Sequence, residues 1–153
     1  MLASVKQPST WDTSKSYITY QYHLVPVFSF TSEFDAVASY FTEPNTQIKT
    51  VERVQNPYQY GKFILFQLQK GGVQEKTLFM PVSQEKLTTA LKHNCDFRRL
   101  KYRCDTFYES PQDLPSDSTI IIILKTLSGY SCYDAGRYPQ YIVTLNTDHI
   151  EIQ

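Results

Sequence analysis

Four consecutive isoleucines, Ile120 to Ile123, sit inside the run Thr119 to Leu127, and no feature of the chain restricts its fold more. β-branched side chains favour the pleated backbone, and successive residues of a strand point to opposite faces. Such a run needs apolar cover above and below, so it predicts a strand buried on both faces and central to a sheet. The longest apolar stretch, Ile120 to Leu124, is far short of the ~20 residues that a membrane span requires. A chain of 153 residues is long enough for one domain that buries roughly two thirds of its unfolded surface. With 12 Tyr and 9 Phe against 5 Gly, disordered and low-complexity classes are excluded.

The remaining elements follow from periodicity and local stop signals. Alternation of Ile18, Tyr20, Tyr22 and Leu24 with polar neighbours predicts a strand within Tyr17 to Phe30, bent or interrupted at Pro26. Ser32 is placed to cap a helix with Phe34, Val37, Ala38 and Phe41 on one face, stopped by Pro44. Ile48 to Val54 reads as a second strand. Asn56-Pro57 then opens a helix that turns Tyr60, Phe63, Ile64 and Leu68 inward and ends at Gly71-Gly72. Thr77 to Pro81 leads to Ser83, the expected cap of a third helix with Leu87, Ala90 and Leu91 buried and Asn94 as its stop. After a loop-like stretch, 105 to 118, come the isoleucine run, a strand at Tyr141 to Leu145, and an edge at Ile150 and Ile152. The expected architecture is a single α+β domain over 8–153, a mainly antiparallel sheet with three helices in its N-terminal two thirds, preceded by a flexible segment 1–7.

Charge and ligand-type residues give little that is specific. Fifteen Lys+Arg balance fifteen Asp+Glu, so the total charge steers the chain toward neither nucleic acid nor an anionic membrane. His23, His93 and His149 are scattered, without metal-ligand spacing. Cys95, Cys104 and Cys132 form an odd set without CxxC spacing, which argues against a disulfide framework or zinc site and for a reducing, intracellular compartment, nuclear or cytoplasmic. Cys132 with Asp148 and His149 resembles a thiol dyad in residue type only. One local patch stands out. Arg98, Arg99, Lys101 and Arg103 interleave with Leu100 and Tyr102 and precede Phe107 and Tyr108, a composition suited to phosphate contact and base stacking as well as to a solvated loop.

A set of short motifs in one order carries a resemblance. Val51-Glu52-Arg53-Val54-Gln55-Asn56-Pro57 is similar to the "RVQN" strand-to-helix passage of poly(ADP-ribose) polymerase catalytic domains. Pro8 and Trp11 resemble that family's Pro-x-x-Trp opening, and Ser32, Glu33, Phe34, Val37 and Phe41 its following helix. Thr77 to Ser83 stands where the family has "LFHGTS", and Asn94, Asp96, Phe97 and Arg98 where it has "N-F-D-x-R". Tyr133-Asp134 and Tyr141 to His149 are similar to its "YD" and "FVIFDSDQ" elements. The resemblance spans Trp11 to His149, nearly the whole chain, and implies an ADP-ribosyltransferase-like fold.

The departures from that pattern bear on activity. The family's His, which binds the adenosine ribose, and its Gly, whose backbone N–H and C=O hold the nicotinamide carboxamide, are replaced by Met80 and Pro81. Met has no N–H donor on its side chain and proline none on its backbone. Two such losses at ~1–3 kcal/mol each lower cofactor affinity by about a hundredfold or more. The stacking tyrosine falls at Phe107, or at Tyr108 one residue on, and the catalytic Glu position at Gln140, just before the Tyr141 strand. Gln140 carries no negative charge to stabilise an oxocarbenium-like transition state. The resemblance therefore implies an inactive relative with a degenerate Met80-Phe107-Gln140 triad, a collapsed or refilled pocket and no NAD cofactor. Inactive relatives serve antiviral RNA decay and epigenetic silencing, so the expected role is an interaction module in a larger protein. A protein partner is expected, RNA is a second candidate through the Arg98 to Arg103 patch, and no membrane partner is expected. The alternative is a divergent mono-ADP-ribosyltransferase that uses NAD and Gln140.

Overall fold

The computed structural model describes residues 6–12, 22–43, 46–96 and 107–146. Five strands and three helices alternate in chain order as β1 (His23–Val27), α1 (Ser32–Ala38), β2 (Ile48–Gln55), α2 (Pro57–Gln69), β3 (Glu75–Val82), α3 (Gln84–Lys92), β4 (Ile120–Leu127) and β5 (Arg137–Leu145). The strands form one sheet in the order β1-β2-β5-β4-β3, and every neighbouring pair is antiparallel. The chain is thus α+β with an antiparallel sheet, and among the described residues the three α-helices all precede residue 93.

The isoleucine run becomes β4, flanked by β3 and β5, and its two faces meet different helices. Ile120, Ile122 and Leu124 join Met80, Val82 and Ile142 in a core that α3 covers through Ala90 and Leu91. Ile121 and Ile123 face the other way, onto Phe79, Val143 and Val37 of α1. Burial of each such side chain is worth ~1.5–3 kcal/mol, so strand and both helices stabilise one another. α2 closes one end of the sheet. Phe63 packs edge-on against Tyr138 with ring centroids 4.8 Å apart, beside Leu127. The middle position of the sheet belongs to β5, not to β4 as the isoleucine run suggested.

Several local expectations are corrected. The first helix is capped by Thr31, whose hydroxyl accepts from the Phe34 N–H at 3.2 Å, one residue before the expected Ser32. Pro26 neither bends nor interrupts β1. The strand pairs through Pro26↔Glu52, which is tolerated because β1 lies at the sheet edge, where one side of the ladder has no partner. Leu68 is 67% exposed rather than turned inward, because it lies about 140° around the helix from buried Phe63. β5 starts at Arg137 and runs through Pro139, so Gln140 lies inside the strand and not before it. Pro44, the start of the first predicted strand and the proposed edge at Ile150 and Ile152 lie outside the described residues.

The cysteine expectation is also corrected. Cys95 is free and buried, whereas Cys132 is disulfide-bonded. Sequence spacing tests only local cysteine clusters, and a fold brings distant thiols together without any CxxC signature. The cysteine count therefore gives no ground for a reducing compartment. Among the described residues no helix is long and apolar enough to cross a membrane.

Candidate functional site

Met80 occupies the middle of β3 opposite Ile122 and is fully buried in the α3-side core. Alternation along the strand sends its neighbours Phe79 and Pro81 to the other side. Phe79 exchanges two backbone hydrogen bonds with Tyr108, each 2.8 Å, so its N–H and C=O point off the free edge of β3. Backbone groups two residues apart in a strand point the same way, and Pro81 thus directs its C=O off that edge. It has no N–H to accompany it, which is why proline is accommodated in an eight-residue strand.

Beside Pro81 lies a cleft of about 410 Å3, lined also by Ser83, Tyr108, Asp117, Ser118 and Thr119. A smaller cleft of about 260 Å3 shares Pro115 and Ser118 with it and reaches Phe41 and Leu145. Ser118 Oγ is buried and has no hydrogen-bond partner. The Ser83 side chain, at the N-cap of α3, makes no capping hydrogen bond.

The remaining triad positions separate. Phe107, the expected stacking residue, packs against the α3-side core, while its neighbour Tyr108 stands at the cleft. Gln140 sits at a β-bulge: β4 residues Ile123 and Leu124 pair with Tyr141 and Pro139, leaving Gln140 between them. The cleft adjoins the Val82 and Thr119 end of the sheet, three to four ladder positions away, or roughly 10 Å. The structure therefore brings Pro81 and Tyr108 together and leaves Phe107 and Gln140 elsewhere. Arg98, Arg99, Lys101 and Arg103 lie outside the described residues, as do Asp148 and His149.

Two polar clusters had no signal in composition or spacing. On the α1 side, Arg53 forms a two-pronged pair with Glu33, Nε to Oε2 at 2.8 Å and Nη2 to Oε1 at 2.5 Å. Tyr141 Oη donates to Glu33 Oε2 at 2.8 Å, and Gln55 Oε1 accepts from Arg53 and from the Asp12 N–H. Burial works to raise the Glu33 pKa, but the hydrogen bonds from Arg53 and Tyr141 outweigh it and hold the carboxyl below its usual range. Burial and the bond to Glu33 push the Tyr141 hydroxyl upward. On the α3 side, Asn94 adopts φ 52° and its amide donates to the Asp134 and Arg137 carbonyls at 2.8 and 3.0 Å. Arg137 Nε returns a bond to the Asn94 carbonyl at 2.8 Å, tying the end of α3 to β5. Burial pushes the adjacent Cys95 thiol up to about 12, which makes it a packed apolar group and not a nucleophile.

No family model matches the chain, and no curated protein sequence matches it.

Proposed function

We propose that the chain is a catalytically inactive ADP-ribosyltransferase-like domain that serves as an interaction module in a larger regulatory protein. The ordered motifs from Trp11 to His149 support the family, and the placement of the substituted residues supports inactivity. The observation that carries the reading is at β3. Where the family presents an imidazole, Met80 is fully buried in the core, and the next residue offers the cleft a carbonyl without an N–H. Among the described residues the cleft is lined by one carboxylate, Asp117, and by no cation, a poor match for the pyrophosphate of a dinucleotide.

Calorimetry with an NAD analogue and an auto-modification assay with labelled NAD test this directly. The expected results are no micromolar binding and no label transfer; micromolar binding or transfer of label overturns the reading. The open cleft favours one second reading, a divergent mono-ADP-ribosyltransferase. That reading requires Gln140→Ala to abolish label transfer while leaving the melting temperature nearly unchanged.

A further inference from the structure

We infer that the cleft beside Pro81 is a receptor for the guanidinium group of an arginine side chain on a protein partner, a proposal that rests on reading the domain as an interaction module. Its wall combines apolar groups, from Pro81, Val82 and Pro115, with polar groups that are acceptors, hydroxyls and one carboxylate. The Pro81 carbonyl points off the β3 edge on the side of the cleft, and Ser118, whose buried Oγ has no hydrogen-bond partner, is part of its lining. Ser83 makes no capping bond, and Asp117, exposed at the rim, forms no ion pair among the described residues. A ligand that suits the polar part of this wall brings donors and positive charge, and its planar faces lie against the apolar part. Guanidinium supplies five N–H donors in a fixed plane, remains charged at every physiological pH, and stacks on aromatic faces such as that of Tyr108. The volume, about 410 Å3, falls within the range of roughly 300–1,000 Å3 typical of ligand pockets.

The geometry also excludes the commonest way an edge strand takes a peptide. Tyr108 already occupies the backbone groups of Phe79, and Pro81 has no N–H, so β3 cannot add a continuous partner strand here. Recognition at this place must go through a side chain.

The experiment is an NMR titration of the full chain with the capped peptide acetyl-Gly-Arg-Gly-amide, using as controls the same peptide with citrulline or glutamate in place of arginine. The expected result is saturable shifts at Tyr108, Asp117, Ser118 and Thr119 with arginine alone. Asp117→Asn, at an exposed position, should weaken binding roughly fivefold without changing the melting temperature. Equal binding of the citrulline peptide, shifts confined to other surfaces, or no shift at ~10 mM overturns the proposal. NAD added to the same sample separates the two readings. Shifts with NAD and none with arginine overturn both, whereas no response to either ligand removes the arginine site and leaves the inactive reading standing.

Discussion

Glu33 is gripped by Arg53 through two nitrogens and by Tyr141 through its hydroxyl, with the Glu33 and Arg53 side chains only 14% and 11% exposed. Because its pKa is lower folded than unfolded, it binds fewer protons in the native state, and the stability it contributes is complete above its ordinary value of 4.5. That contribution is lost as pH falls from there through the lower folded value. Glu33→Gln removes the charge while keeping the shape, leaving a nearly buried guanidinium without its counter-ion at a cost of ~2–3 kcal/mol near neutral pH. Urea denaturation from pH 7 down to pH 3 checks this: the difference between the two proteins should shrink as pH drops below 4.5. A constant difference across the range would mean that charge plays no part. The sequence placed Glu33 in a helix and Arg53 in a strand, but nothing in either segment shows that they meet. Their contact depends on α1 crossing the face that β2 and β5 share, and such tertiary geometry leaves no periodic trace.

At the scale of elements, local signals were legible where local physics decides. Asn56 and Pro57 opened α2 as expected, with Asn56 Oδ1 accepting from the Gln59 N–H at 3.0 Å, and Gly71 and Gly72 ended it at φ 80° and 76°. The three caps differ in energetic weight. Thr31→Ala and Asn56→Ala each delete a bonded cap and should cost ~1 kcal/mol, while Ser83→Ala, at a cap with no side-chain bond, should cost less than ~0.5 kcal/mol. Thermal melts of the three variants rank them, and a Ser83 loss equal to the others would contradict the geometry at α3. The start of β5 was less legible. Pro139 breaks the strand pattern, and only the bulge opposite Ile123 and Leu124 lets the chain pass through it in extended form. Gln140 lies at that bulge, three to four ladder positions along the sheet from the cleft. The sequence thus singled out Met80, Phe107 and Gln140 by residue type, but their separation in space was not readable from it.

For the whole molecule, strand order lay beyond what hydrophobicity alone can decide, because β4 and β5 are both flanked by neighbours and both contribute fully buried side chains. Covalent topology was equally hidden. The disulfide at Cys132 anchors the segment between β4 and β5, where Tyr130 packs edge-on against Phe66 of α2 at 5.4 Å. A crosslink reduces the entropy of the unfolded chain, typically by an equivalent of ~2–4 kcal/mol. In a domain of this size that corresponds to a melting temperature lower by roughly 5–10 °C once the bond is cut. Dithiothreitol should therefore lower the melting temperature, Cys132→Ser should lower it by a similar amount, and the reductant should have no further effect on that variant. A melting temperature unmoved by both treatments would remove the crosslink from the stability of the fold. The expected loss ties the working life of the domain to the redox poise around it, because the bond persists only where thiols are not kept reduced.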